Sequence, residues 1–156
     1  MKCWLGFCNK FSEFDERQLL IRGHVFKHTV ILYMCCILAD GFLEDCGIHW
    51  ASGLHKALIM FWLGAAPTMC EYILRGVTPA GSRNDILYVL EGIFGLLMTA
   101  VSLFHILVKG APIISGRAFT RDGGILVIGL LTLLVFVTYI TKIVYDKRHS
   151  QELDEE

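Results

Sequence analysis

Three acidic residues lie inside stretches of sequence that are otherwise apolar, namely Asp40, Glu71 and Glu91. A charge at the centre of a membrane-spanning helix costs roughly 2.5–3.5 kcal/mol on insertion scales, so an acid placed there needs a partner or a function. Carboxylates in such positions could form the pore or coupling sites of a small oligomeric ion or proton channel or transporter. One four-helix unit is too small to enclose a wide pore, so this hypothesis requires a homo-oligomer.

The same acids also have a structural interpretation. Arg75 and Arg83 flank the connection that follows Glu71 and precedes Glu91, so either arginine could neutralise either glutamate. Asp40 lies near the end of its apolar stretch and could reach the aqueous interface. The position of the two arginines favours ion pairing over transport.

Histidines suggest a different chemistry. Two imidazoles on facing helices, His55 and His105, could ligate a haem iron. His49 and His55, with Glu44 and Asp45 nearby, could instead bind a divalent metal. The sequence contains no His-Glu-x-x-His, Cys-x-x-Cys or Cys-x-x-Cys-His pattern. We therefore expect no cofactor, with haem b as the alternative.

Enzyme motifs are not found in the chain. There is no Gly-x-Ser-x-Gly nucleophile turn and no Gly-x-x-x-x-Gly-Lys phosphate loop. The sequence therefore predicts no catalytic residues, and a non-enzymatic role is favoured.

Small residues follow one face of the third apolar stretch at spacings of three, four and three: Gly92, Gly95, Thr99 and Ser102. Small side chains let two membrane helices approach closely. Gly64 and Thr68 in the second stretch offer a possible opposing face. Pro67 between them should kink that helix, because proline removes a backbone donor and clashes with the preceding turn.

These residues are carried by four apolar stretches, residues 25–43, 54–74, 86–108 and 125–145. Each approaches the roughly 20 residues that a helix needs to cross a bilayer. None alternates with the period of two that a membrane strand requires. Because backbone groups in hydrocarbon must bond to each other, the stretches are predicted to be helices.

Short connections of residues 44–53, 75–85 and 109–124 link the four stretches. Short links favour antiparallel neighbours in sequence order. The predicted fold is therefore an all-α integral membrane protein, a four-transmembrane-helix bundle with up-down-up-down topology.

The distribution of basic residues predicts the orientation. Ten lysines and arginines belong to one side of the membrane: Lys2, Lys10, Arg17, Arg22, Lys27, Arg75, Arg83, Lys142, Lys147 and Arg148. Four belong to the other: Lys56, Lys109, Arg117 and Arg121. Because cytoplasmic loops carry the excess of positive charge, both termini are predicted to be cytoplasmic. The bias fits a bacterial inner membrane and a eukaryotic endomembrane equally.

The two ends differ from the predicted transmembrane domain of residues 24–145. Residues 1–23 mix aromatic and charged residues and predict an amphipathic segment in the interface, with a partner-binding or frayed segment as the alternative. Residues 146–156 form a short acidic tail that we expect to be solvated.

Composition excludes some classes of function. The net charge is −1, and no cluster of basic residues is interleaved with aromatics, so nucleic acid is not an expected partner. Three of the six cysteines lie inside apolar stretches, which is unlike a disulfide-stapled secreted domain. The expected partners are membrane lipid and other integral membrane proteins, or further copies of this chain.

Two short patches, residues 71–76 and residues 82–84, resemble the small four-helix subunit that stabilises the phagocyte NADPH oxidase and other small four-helix proteins of vesicle and Golgi membranes. The patches cover nine of 156 residues, and no site is carried over from them. The resemblance implies only an accessory role. The leading hypothesis is a non-catalytic subunit that packs into and stabilises a larger membrane complex.

Overall fold

The computed structural model of the chain describes residues 16–51, 53–77 and 82–154. Within this part lie four long helices: α1 (Glu16–Asp45), α2 (Gly53–Leu74), α3 (Ser82–Lys109) and α4 (Arg121–Asp154). Each predicted apolar stretch falls inside one of these helices. All four are long and apolar enough to cross a membrane, which confirms the multi-pass expectation at the level of length and composition.

Two helices extend beyond their apolar stretches. The helix α1 begins at Glu16, so residues 16–23 of the expected interfacial segment are continuous with the first predicted span, and residues 1–15 lie outside the described part of the chain. The helix α4 continues through most of the acidic tail to Asp154. Lys142 Nζ lies 2.7 Å from Asp146 Oδ1, an ion pair one helical turn apart that favours the extension.

The helices pack in the spatial order α1, α2, α4, α3. Between α1 and α2, the Thr29 hydroxyl lies 2.8 Å from the Thr68 hydroxyl, and the Tyr33 hydroxyl donates to the Phe61 carbonyl at 2.7 Å. Later residues of α1 therefore meet earlier residues of α2. The last helix, α4, lies between α2 and α3, so two helices that follow each other in sequence are separated in space.

Close backbone approach joins α3 to α4. A Cβ atom on Gly129 would lie 2.5 Å from Thr99 Oγ1 and 3.2 Å from the Gly95 carbonyl oxygen. A Cβ atom on Gly95 would lie 3.1 Å from the Leu133 amide nitrogen. The small-residue face of α3 thus packs on α4, because only glycine leaves room for the two backbones at this separation.

The small residues of α2 face the first helix instead. A Cβ atom on Gly64 would overlap the ring of Tyr33, and Thr68 bonds to Thr29. The opposing face suggested by Gly64 and Thr68 therefore serves α1 rather than α3. Pro67 lies within α2, which is one helix from Gly53 to Leu74, and the kink at this residue stays a prediction.

A two-stranded hairpin precedes α4, with β1 (Ile114–Ser115) antiparallel to β2 (Ala118–Phe119). Gly116 makes the turn with a φ of 65°, a conformation that favours glycine. The Phe119 amide donates to the Trp50 carbonyl at 2.7 Å, which joins the hairpin to the loop between α1 and α2. We call this end of the molecule the hairpin end and the opposite end, where α1 begins and α2 finishes, the terminal end.

Most of the large apolar side chains point outward. The buried apolar residues in the described part are few, and they include Val25, Ile59, Ile73 and Val135. Exposed apolar surface on this scale is unstable in water and favourable in hydrocarbon. The outward surface therefore agrees with helices that lie in a membrane.

Candidate functional sites

Asp40 lies in an ion-pair cluster at the hairpin end. Its Oδ2 atom lies 2.8 Å from Lys56 Nζ, and its Oδ1 atom accepts a hydrogen bond of 2.6 Å from the Trp50 indole. Lys56 also contacts the Glu44 carboxylate and lies 5.9 Å from the centre of the Trp50 ring. The cluster joins α1, α2 and the loop between them, because each of the three contributes a partner.

Exposure of this cluster is limited. The side chain of Asp40 is 20% exposed and that of Lys56 is 17% exposed. At such exposure each charge depends on its partner more than on water. The cluster can hold two helices together, and each carboxylate oxygen of Asp40 has a partner in it.

Glu71 lies in a second cluster, at the terminal end. Its Oε1 atom is 2.6 Å from Arg75 Nη2, one turn further along α2, and 3.0 Å from His28 Nδ1 of α1. Arg75 is one of the two arginines that the sequence offered as partners. The side chain of the other, Arg83, is outside the described side chains. Glu71 therefore joins α1 to α2, as Asp40 does at the opposite end.

Glu91 differs from both. Its Oε1 atom is buried, and no hydrogen-bond donor among the described residues reaches it. A buried carboxyl oxygen without a donor is costly. Glu91 is thus the one predicted intramembrane acid whose contacts in the described structure do not account for its presence.

The three histidines considered as metal or haem ligands lie at the hairpin end. His105 Nδ1 lies 3.0 Å from Asp122 Oδ1 on α4, and its Nε2 lies 3.5 Å from Lys109 Nζ. His55 lies at the start of α2. Its Cβ atom is 3.8 Å from the position that a Cβ atom would take on Gly124. His49 is exposed in the loop.

A metal or haem site therefore has limited support in the geometry. Among residues 16–51, 53–77 and 82–154, no group of three or more His, Cys, Asp or Glu side chains is arranged to hold a metal ion. Both ring nitrogens of His105 already face a side chain. Haem ligation by His55 and His105 stays a prediction, which the absorption spectrum of the purified protein tests.

The face of α3 that packs on α4 also makes polar contacts that the sequence did not reveal. Ser102 is fully buried, and its hydroxyl donates to the backbone carbonyl of Asp122 at 3.1 Å. The side chain of Asp122 holds His105, so Asp122 joins α4 to α3 twice. Asp122 lies in the first turn of α4, where a carboxylate is favoured by the helix dipole. Its position just before the fourth apolar stretch is the only sequence signal for this role.

Comparison with protein-family models, curated proteins and solved structures finds no significant match for the chain. The functional argument therefore depends on the contacts and surfaces described above.

Proposed function

We propose that the chain crosses a membrane four times with both termini on the cytoplasmic side, and that it is a non-catalytic subunit of a larger membrane complex. The order of contacts along the helices supports the up-down-up-down path, since α1 and α3 each meet their successor with residues in reverse order. The excess of lysine and arginine at the terminal end supports the orientation.

The observation that carries the proposal is the outer surface of α3. Six apolar side chains repeat there at alternating spacings of four and three residues, and all are between 46% and 67% exposed: Leu90, Phe94, Leu97, Val101, Phe104 and Val108. We call these residues the α3 seam. At about 100° per residue, the α3 seam lies opposite the small-residue face that packs on α4.

This spacing is the repeat with which one helix packs side chains into the gaps of another. The helix α3 has extensive contacts with α4 alone among the described elements, so the α3 seam is open along its length. A partner helix from another membrane protein fits this surface. Asp40 and Glu71 form ion pairs within the chain. Their contacts agree with a structural role and do not require transport.

The test compares two sides of the same helix. The double variant Leu97→Trp with Val101→Trp changes the α3 seam, and Leu96→Trp with Leu103→Trp makes a matched change about a third of a turn away on exposed surface. After mild detergent extraction from the native membrane, we expect the parent chain to migrate in a complex larger than 17.6 kDa. The seam variant should lose about fivefold or more of the complexed fraction, since helix contacts in membranes contribute about 1–2 kcal/mol.

Migration of the parent as a single chain would contradict the proposal. Equal loss of the complex in the seam and control variants would also contradict it, because the effect would then not depend on the α3 seam.

Glu91 supports a second candidate function, proton or cation transport by an oligomer of this chain. The supporting observation is the buried Oε1 atom without a donor among the described residues. A carboxyl of this kind, inside an apolar helix, is the group that proton relays use.

Glu91→Gln keeps the size of the side chain and removes its proton exchange. If the chain transports protons, we expect flux in proteoliposomes to fall to the level of protein-free vesicles. Asp45→Asn, a change at an exposed acid at the end of α1, should leave flux unchanged. Equal flux through the parent and Glu91→Gln would exclude a role for Glu91.

A further inference from the structure

The hairpin before α4 is fixed to the helices on two sides. The Thr120 amide donates to the Ile113 carbonyl at 3.0 Å, which closes the base of the hairpin beside the start of α4. Ile113 Cγ2 lies 3.1 Å from the position that a Cβ atom would take on Gly123 of α4. On the other side, the Phe119 amide bonds to the Trp50 carbonyl. These contacts hold the hairpin against the ends of the helices.

The pairing of the strands gives the hairpin two distinct faces. Ile114 pairs with Phe119, and Ser115 pairs with Ala118. Side chains of directly paired residues point to the same face of a sheet, and consecutive residues along a strand point to opposite faces. Ile114 and Phe119 therefore share one face, and Ser115 lies on the other.

The face that carries Phe119 is turned toward the apolar part of the bundle. Phe119 lines a cavity of about 370 Å³ together with Leu43 of α1, Ile59 of α2 and Val127 of α4. Ile114 is on the same face of the hairpin, but its side chain is 55% exposed. Ile114 thus points toward the depth at which the helices are apolar, and no described residue covers it.

The length of α3 gives the depth of the hairpin. The helix has 28 residues and is about 42 Å long at the rise of an α-helix. That length matches a bilayer of about 40–45 Å with its headgroup layers, and it exceeds the hydrocarbon core of about 30 Å. In a membrane crossing, Lys109 at the end of α3 and the hairpin that follows it lie at the depth of the headgroups.

Two exposed arginines flank the paired strands. Arg117 is in the turn of the hairpin, and Arg121 is the first residue of α4. Within the part of the chain that the structure describes, neither guanidinium group has an ion pair. Asp122, the next residue after Arg121, contacts His105 instead. Guanidinium groups bind phosphate oxygens through paired N–H donors, so charge complementarity favours a phosphate-bearing partner here.

We infer that the hairpin lies in the membrane–water interface, with Ile114 against lipid acyl chains and with Arg117 and Arg121 on the phosphates of phospholipids. The inference rests on the membrane crossing proposed above. Phospholipid is the occupant because it places acyl chains below the headgroups, as the direction of Ile114 requires, and phosphate at the level of the two arginines. Both arginines belong to the side with fewer basic residues, and phosphate binding gives them a role there.

Photochemical labelling in native membranes tests the inference. A photoactivatable diazirine side chain is introduced at Ile114, at Ser115 as the control on the opposite face, and at Leu130, an exposed position in the apolar part of α4. After irradiation, mass spectrometry of the purified full chain measures the fraction that carries a phospholipid adduct. We expect about tenfold more adduct at Ile114 than at Ser115, because burial of an isoleucine side chain favours the lipid contact.

A charge variant tests the role of the arginines in the same measurement. Arg117→Gln with Arg121→Gln should lower the phospholipid adduct at Ile114 about fivefold, since each basic group near a lipid surface contributes to its binding. The matched control, Lys147→Gln with Arg148→Gln, removes two charges at exposed positions of the terminal end and should leave the yield unchanged.

Equal phospholipid adducts at Ile114 and Ser115 would overturn the inference, and so would a protein adduct in place of lipid at Ile114. An unchanged yield in the arginine variant would also overturn it, because phosphate would then not hold the hairpin. Absence of phospholipid adducts at Leu130 would instead contradict the proposed membrane crossing, so the two proposals fail on different results.

Discussion

Gly129→Leu is expected to separate α3 from α4 and to lower the free energy of unfolding by about 3 kcal/mol, the upper part of the usual range for overpacking. The physical reason is the distance between the helices. A Cβ on Gly129 meets both the Thr99 side chain and the backbone carbonyl of Gly95, and a carbonyl cannot rotate away. Thermal unfolding in mild detergent, followed by circular dichroism, measures the change.

Gly41→Leu is the matched control for this prediction. Gly41 is also inside a long helix, but among the described residues no atom beyond its own stretch of helix lies within 4 Å of the Cβ position there. Leucine has a higher helix propensity than glycine, so this variant should be as stable as the parent or more stable. Equal melting temperatures for Gly129→Leu and Gly41→Leu would mean that the close approach of α3 and α4 is not important for stability.

Lys56→Met is expected to destabilise the hairpin end. The ammonium group of Lys56 lies between the carboxylates of Asp40 and Glu44, so its removal leaves two like charges together, and that of Asp40 has little access to water. We expect a clear fall in melting temperature. Lys142→Met, which breaks a pair with Asp146 within a single helix, should cause a smaller fall, because exposed pairs of that kind contribute little.

A second substitution tests the cause of this effect. Asp40→Asn combined with Lys56→Met removes one of the two unpaired carboxylates, so the double variant should be more stable than Lys56→Met alone. If the two changes are additive, Lys56 stabilises the protein by packing its carbon chain and not through its charge.

The four helices could be predicted from the sequence because hydrocarbon allows the backbone few alternatives. Length and hydropathy are sufficient for that prediction, and the apolar stretches fall inside the helices. The ends of the helices were less predictable. Glu16 and the residues after Tyr145 continue their helices as polar turns, and hydropathy does not distinguish a polar helical turn from a solvated segment.

The choice of packing partners could not be predicted in the same way. The sequence showed the small face of α3, but sequence order suggested α2 as its neighbour, whereas α4 lies there. Gly129, Thr132 and Phe136 repeat at spacings of three and four on α4 and were the available signal. They were inconspicuous because the same stretch contains further threonines, Thr138 and Thr141, away from this face.

At the candidate sites, too, some contacts could be predicted from the sequence and others could not. Sequence position predicted that Glu71 could pair with Arg75, since the two are one turn apart. The contacts of Asp40 with Lys56 and of His105 with Asp122 join residues from different helices. Such contacts depend on how the helices are rotated against each other, and a hydropathy pattern does not contain that information.

The spatial order of the helices has a consequence for synthesis of the chain, which emerges from its N-terminus. The first two helices can pair as soon as both have been inserted. By contrast, α3 has no extensive contact with either of them in the described structure, so in the proposed membrane topology its glycine-lined face and Ser102 would stay against lipid until α4 emerges. A ribosome halted between the third and fourth helices would therefore hold a half-assembled protein with its third helix unattached, and that intermediate is the one on which membrane quality-control proteases would be expected to act.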